Sequence, residues 1–445
     1  MKSKVYFMDD RHKGISSSIP AKAMQLFDHA GLGGCFSRGD SVAIKCHMGE
    51  WFNTAYLRPI LVRVIVDKVK ELGGRPFVTD TTTAPYYFYG ARSTADLYLE
   101  TAARNGFTAE TMGCPVLISD GMYGTDDVKV DIPDGLLLKE GYLAKGIADA
   151  DAVIVLSHFK GHGAGVYGGS IKNVAIGFSS KRGKFNVHLC NHQVVGWHKW
   201  SFNGENCIGN ECPDSTLCNN LCPVGAFKIL EDRATWDGSK CIGCFGHQRP
   251  LLNCDLWGME KYDEWRNWFL VAMADAATGY VRHIGKEHIG YLTYALDLTP
   301  GCDCAPGSDR AVVPNLGVFA SRDMVAIDVA ALDESVRAHG VPGSMAEEKD
   351  VMEPDQEKFP ALIGMSQWVT ANACVLLGSG SKEYEIIQPP VSEDEAAFSH
   401  PLLKPSHPSG YWLGKAIPGF GGWTPPGGYK YNDKPRVPVE ELLKR

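Results

Sequence analysis

No run of about 18 apolar residues occurs anywhere in the 445-residue chain, so no helical membrane span is expected. Basic clusters are equally scarce. The one short example, Lys181-Arg182-Gly183-Lys184, sits in a chain of net charge −8, which argues against a nucleic-acid or anionic-membrane partner. The opening residues, Met1 to Asp10, carry two lysines and an acidic pair but no apolar stretch, so they do not read as a secretory signal. The expected location is the cytoplasm. A Walker pattern is missing too, as is a Gly-x-Gly-x-x-Gly after the first strand, which excludes the commonest phosphate and nicotinamide signatures.

Cysteine, by contrast, is abundant: there are 14. A disulfide framework suits small secreted chains that cannot bury a core. With 44% hydrophobic and 22% charged residues over this length, the chain has ample material for a core without staples. Nine of the cysteines crowd between Cys207 and Cys304, while Cys35, Cys46, Cys114, Cys190 and Cys374 are scattered. Clustering of this kind in a reducing compartment points to metal.

Two periods alternate through the first 200 residues. Short β-rich runs at Val5-Tyr6-Phe7, Ser41 to Cys46, Pro76 to Asp80, Pro115 to Ile118 and Ala152 to Leu156 are separated by helical patterns. The clearest helix is Leu57 to Leu72, with Leu61, Ile65, Val69 and Leu72 on one face and Gly73-Gly74 to end it. This rhythm predicts an α/β fold: a mainly parallel sheet with helices on both faces. Alternation stops near Lys199 and gives way to Cys, Gly, Pro and Asn. Regular patterns return with a helix from about Glu260 to Thr278, strands at Ile289–Leu298 and Val313–Ala320, a helix at Met324–Leu332, and a helix–strand pair over Phe359 to Ile387. The expected parts are residues 1–199 and 259–388 as two portions of one α/β domain, a ferredoxin-like iron–sulfur insert at 200–258, and a Pro-, Gly- and aromatic-rich tail at 389–445.

Within the insert, Cys207-x4-Cys212-x5-Cys218-x3-Cys222-Pro223 ends in the Cys-x3-Cys-Pro of bacterial cluster-binding loops. A second group follows, Cys241-x2-Cys244 and then Cys254. Soft thiolates match iron–sulfur clusters, whereas zinc would be signalled better by two Cys-x2-Cys pairs, of which only one is present. Two 4Fe–4S clusters are expected, and one at minimum. Two clusters need eight ligands and the insert offers seven cysteines. Three completions stay open: His247 as the eighth ligand, Cys254 serving the second cluster with the first completed from elsewhere, or an iron without a protein ligand. His247 as an ordinary exposed loop histidine is the plain alternative.

In parallel sheets function collects at the carboxyl ends of strands. Lys45, His47, Asp80, His158 and Lys160 are placed there by the strand pattern. The segment His158-Phe159-Lys160-Gly161-His162 runs into Gly168-Gly169, where glycine lets backbone amides approach an anion that Lys160 or Lys172 could neutralise. Local hydrogen bonding and salt bridging are the structural counter-readings. A separate pair, Cys302-Asp303-Cys304, lies between Pro300 and Pro306. If extended, its two thiols share a face and form a candidate metal or redox pair; buried inert cysteine is the alternative.

These residues resemble the uncharacterised iron–sulfur centre proteins of bacteria and archaea, in which a domain of unknown function carries an inserted ferredoxin segment. The resemblance spans roughly residues 40–335. It rests on Ala43-Ile44-Lys45-Cys46-His47-Met48-Gly49-Glu50, Leu57-Arg58-Pro59, Gly73-Gly74 and Phe77-Val78-Thr79-Asp80-Thr81. It continues through Ile154 to His162, Gly168 to Asn173, Cys302-Asp303-Cys304 and Gly317 to Asp323 with Ala326-Ile327-Asp328. The chain departs from that pattern in its expanded first cysteine loop, in His247, and in a late Cys254 without a following proline. The family implies iron–sulfur binding and redox work without fixing a reaction. A shorter segment, Gly168-Gly169-x-Ile171-Lys172, is similar to one in nickel-pincer lactate racemases, where such a lysine holds the cofactor.

The expected function is therefore an iron–sulfur redox protein that passes electrons to a site in the α/β crevice, working with a redox protein partner or a small-molecule substrate. One alternative is an electron-transfer or assembly subunit without its own substrate, docking through the C-terminal tail. The other is a pincer-type racemase or epimerase.

Overall fold

A computed structural model describes residues 2–84, 90–190, 203–240 apart from 214 and 223, 262–398, 430 and 437. Two compact units divide the chain, Met1–Lys13 with Ser17–Val391, and Gly14–Ser16 with Ser392–Arg445. In the second, the described residues include a 3-10 turn at Glu395–Phe398.

The strands of the first unit are β1 (Ser3–Asp9), β2 (Ser41–Lys45), β3 (Arg75–Asp80), β4 (Val116–Ile118), β5 (Asp127–Asp131), β6 (Glu140–Ala144) and β7 (Ala152–His158). They continue with β8 (Lys160–His162), β9 (Val166–Gly168), β10 (Phe227–Ile229), β11 (Ala234–Trp236), β12 (Ile289–Ala295), β13 (Gly317–Ser321) and β14 (Tyr384–Ile387). Eight of them build one sheet in the order β14-β1-β13-β12-β7-β2-β3-β4. Strand β13 runs antiparallel to β1 and β12, and every other neighbouring pair is parallel. The α/β class expected from the sequence is observed.

Strand β7 shows why this sequence sits mid-sheet. Ala-Val-Ile-Val-Leu-Ser-His is buried along its whole length, as a strand covered on both faces must be. Val153 and Val155 enter one core with Phe269, Met273 and Val325 from the Tyr262–Ile284 and Met324–Arg337 helices. Ala152, Ile154 and Leu156 enter the other, with Leu26, Phe27, Leu61 and Ile65 from the Ile19–His29 and Pro59–Glu71 helices. Of the predicted stripe, Leu61, Ile65 and Val69 are buried, whereas Leu72 caps the helix end and is exposed. That helix stops where Gly73 adopts φ +88°, a conformation costly for residues with a Cβ.

Strands β7 and β12 pair directly, so chain from before and after the cysteine-rich segment shares one sheet. The antiparallel turn from β12 into β13 matters for the site. An antiparallel neighbour needs no crossover helix, so residues 296–316 stay at the carboxyl edge of the parallel strands. The predicted strand Val313–Ala320 begins only at Gly317. Val312 and Val313 are buried without belonging to a strand, and an apolar run alone does not separate those cases. The hairpins β5–β6, β8–β9 and β10–β11 have too few residues to give a clear period, and the sequence reading passes over them. No helix among the described residues is long and apolar enough to cross a membrane.

Candidate functional site

Strands β3, β2, β7 and β12 are mutually parallel neighbours and end at the same edge. That edge gathers Lys45, Asp80 and His158 from the strand ends, Lys160 from β8, and the Cys302-Asp303-Cys304 turn from the loop after β12. The sequence reading assigned the first four to this edge from strand ends alone. It did not foresee how they pair.

Asp303 is the hub. It is fully buried, with Oδ1 2.7 Å from His158 Nδ1 and Oδ2 3.0 Å from Lys160 Nζ. The other ring nitrogen of His158 lies 2.7 Å from the Leu296 carbonyl. Both ring nitrogens thus face oxygen atoms. Burial by itself would raise the Asp303 carboxyl; His158 and Lys160 outweigh it and hold Asp303 far below its usual range. The Asp303 carboxylate thus joins His158 and Lys160 in one buried cluster next to the sulfurs.

The turn that carries the sulfurs is clamped from several elements. Asn53 Nδ2 donates to the Ala305 and Gly307 carbonyls at 3.0 Å, and Glu50 N donates to the Asp303 carbonyl at 3.0 Å. Arg92 Nη2 reaches the Cys304 carbonyl at 3.3 Å while its Nε pairs with Glu50 Oε2 at 2.8 Å, both side chains being buried. Cys302 and Cys304 come together through this turn, not through the extended segment expected from their spacing. Cys304 N lies 3.3 Å from Cys302 Sγ, and Lys172 Nζ and Cys302 Sγ are 4.0 Å apart. His162 Nε2 is 4.0 Å from Cys304 Sγ, and the ligand atoms of His162, Cys302 and Cys304 all lie within 4.8 Å of one another. The hydrogen bond from Cys304 pulls the Cys302 thiol well down despite burial, with help from Lys172 and His162, and Cys304 is raised correspondingly. A cleft of about 310 Å³, lined by Asn53, Gly163, Thr299 to Cys302, Met345 and Leu362 among others, opens beside Cys302.

Lys45 belongs to a second buried cluster. Its Nζ is 2.8 Å from Asp80 Oδ1 and 2.9 Å from Asn173 Oδ1, and Tyr98 donates to the other Asp80 oxygen. Burial opposes the Asp80 charge, but Lys45 and then His47 hold its pKa at about 2. His47 accepts from Gly49 N through Nδ1 at 3.0 Å, while its buried Nε2 has no partner among the described residues. Burial first and the Arg92 charge second push the His47 pKa down to about 3, so this ring is neutral.

The Gly168-Gly169 segment holds something other than an external anion. The amides of Ser170 and Ile171 are taken by the two Asp328 carboxylate oxygens at 2.6 and 2.9 Å, and a Cβ on Gly169 would meet Asp328 at 2.5 Å. The short basic cluster is likewise mostly internal. Lys181 and Lys184 are buried, donating to the Thr83 and Ser93 carbonyls and to Thr81 and the Ser179 carbonyl respectively. Sequence reasoning missed Asn53, Arg92, Tyr98 and Asn173, which lie in segments where no spacing marks them.

In the insert, Cys207, Cys212 and Cys222 are free thiols, and Cys218 lies among them. Cys207 and Cys218 are buried with Phe227, Ile229 and Ala234 in a small core of their own, against which Cys222 packs. Gly209 N donates to Cys207 Sγ at 3.3 Å and Ala226 N to Cys222 Sγ at 3.1 Å. Free sulfurs that line a small core and receive backbone amides fit an iron–sulfur cluster. Cys241, Cys244, His247 and Cys254 lie outside the described residues.

Comparison with known proteins gives three results. Two curated proteins, each described as "Ferredoxin-like protein in nif region", from Trichormus variabilis and Trichormus azollae, are 33% identical to this chain over 70 residues, 14% of this chain. The chain spans 60% of the length of these relatives. Among solved structures, the lactate racemase apoprotein from Thermoanaerobacterium thermosaccharolyticum aligns at a TM-score of 0.36 and 10% identity, covering 77% of this chain and 60% of that one. Residues 42–333 match the family described as domain of unknown function (DUF362), and the chain belongs to that family.

Proposed function

We propose that this chain is an iron–sulfur redox protein, with ferredoxin-type clusters on the insert and a reaction site at the carboxyl edge around Cys302 and Cys304. One observation carries the first half. Cys207, Cys212, Cys218 and Cys222 lie in a frame that ends Cys-x3-Cys-Pro, and two of their sulfurs accept backbone amides. The ferredoxin-like relatives support the same assignment. Cys207, Cys212 and Cys218 would hold one cluster, Cys222 before the proline would reach to a second, and Cys241, Cys244 and Cys254 with His247 supply the remaining candidates. A bound 4Fe–4S cluster supplies one-electron transfer at a potential set by burial and by hydrogen bonds to sulfur.

The rest of the chain supplies what a cluster lacks, a place for substrate. The Asp303–His158–Lys160 cluster fixes the cysteine turn, and the neighbouring cleft gives access to Cys302. A redox protein is the partner that such a chain requires as electron source.

The test is the iron and acid-labile sulfide content of protein purified without oxygen. About eight irons per chain are expected for two clusters and about four for one. Zinc without sulfide would overturn the assignment. Replacing Cys302 and Cys304 by serine should leave the iron and sulfide content unchanged.

A further inference from the structure

The carboxyl-edge sulfurs sit among hydrogen-bond donors, and the tautomer of His162 decides what they can do. His162 Nδ1 accepts from Gly165 N at 2.8 Å and from Ala164 N at 3.2 Å. A ring nitrogen facing two amide donors carries its lone pair there, so in the neutral ring the hydrogen sits on Nε2. That is the nitrogen turned toward the sulfurs. A metal would need the Nε2 lone pair, which this ring offers only if both amide bonds to Nδ1 break. As built, His162 is a donor. With Lys172 Nζ and Cys304 N it puts three N–H groups around the two sulfurs, beside the Asp303 carboxylate that holds His158 and Lys160.

We infer that Cys302 and Cys304 form a redox-active dithiol that reduces small disulfides entering the neighbouring cleft, Cys302 being the attacking sulfur and Cys304 the resolving one. Cys302 lines the cleft, whose volume of about 310 Å³ lies at the lower end for small-molecule sites. The Cys302 thiolate attacks one sulfur of the substrate disulfide. The substrate S–S bond breaks, a mixed disulfide forms, and the first thiol leaves with a proton from solvent. Cys304 then gives up its proton and attacks Cys302 Sγ, which releases the second thiol and closes the Cys302–Cys304 disulfide. One disulfide has been reduced to two thiols: the pair has lost two electrons and the Cys304 proton, which goes to the second thiol, the first thiol's proton having come from solvent. A low-potential one-electron donor of the ferredoxin class, acting through the insert's clusters, would restore the dithiol in two steps. That last step rests on the iron–sulfur reading; the dithiol chemistry does not.

The experiment uses the intact chain, equilibrated without oxygen in graded mixtures of reduced and oxidised glutathione, trapped with iodoacetamide and mapped by mass spectrometry. The expected result is a single two-electron transition. Cys302 and Cys304 go from both alkylated to a disulfide-linked form two hydrogens lighter. Lys172→Met should raise the oxidised fraction several-fold at a fixed ratio, because a donor that stabilises the reduced sulfur is gone. Two results would overturn the inference. Either both cysteines are alkylated separately at every ratio, or both resist alkylation until a chelator strips one metal ion per chain. Glutathione supplies the electrons here, so failure of this test leaves the iron and sulfide assay standing, and failure of that assay leaves this test intact.

Discussion

At the carboxyl edge, Cys302 and Cys304 rest on strands buried on both faces, and their turn is held by Asn53, Arg92 and the ion pairs of Asp303. In the insert, Cys207 and Cys218 are themselves part of the described core, shared with Phe227, Ile229 and Ala234 and packed by Cys222 and Trp236. The edge positions its sulfurs with a scaffold that stands without them. On the proposed reading, what the sulfurs bind adds to the stability of the insert's small described core. The donors differ as well. Neutral backbone amides reach Cys207 and Cys222, whereas a lysine and a histidine lie beside Cys302 and Cys304.

The largest effect should come from removing iron. On the proposed reading, chelation unfolds the insert and spares the sheet, because ligand binding there supplies the folding free energy. Hydrogen exchange should show the amides of β10 and β11 losing protection entirely while those of β7 and β12 keep theirs. Protection of β10 that survives metal removal would mean that the small core suffices, and the contrast would collapse.

Asp303→Asn attacks the edge from its hub. It leaves His158 and Lys160 buried without their carboxylate, a change that typically costs about 3–5 kcal/mol. Urea unfolding of the sheet should register that loss while iron content stays constant. The sign of the pH dependence follows from the same group. Its folded pKa lies below the ordinary 3.8, so its contribution is complete above that value and disappears as pH falls through the lower folded one. The variant should lack that acid-side loss. A cost under about 1 kcal/mol would show the pairing to be no stronger than a surface salt bridge.

Much of this contrast was legible in the sequence, and the limits have physical causes. Continuous apolar runs such as Ala152 to Leu156 announce a strand covered on both faces, and strand ends announce Lys45, Asp80 and His158. Cys-x3-Cys-Pro announces the insert's first loop because backbone and ligand geometry tie those spacings together. Nothing in spacing announces that Asp303 binds residues about 145 positions earlier, or that Arg92 reaches the Cys304 carbonyl. Those contacts depend on strand order, and the antiparallel entry of β13 keeps the loop at that edge. The amides just after Gly168-Gly169, those of Ser170 and Ile171, have a partner that spacing does not announce, because Asp328 lies on a helix after the insert.

The smallest effect tests whether cationic donors set the edge sulfurs apart from ordinary buried thiols. Cys46, Cys190 and Cys374 are pushed up by burial, Cys46 despite its neighbour Lys45. Cys302 is pulled down by Cys304, Lys172 and His162, and it lines a cleft. Thiolate fraction and access together govern alkylation. In reduced protein freed of metal, iodoacetamide at neutral pH should therefore label Cys302 before any of those three, as followed by peptide mass mapping. Lys172→Met should slow that labelling by about tenfold at most, the equivalent of one pKa unit, because a 4.0 Å contact is only one of several donors. Labelling of Cys46 should not change, since its surroundings do not include Lys172. If Cys302 instead reacts no faster than Cys46, the donors around it do not stabilise a thiolate. The edge would then differ from the insert in rigidity alone and not in the charge placed around its sulfurs.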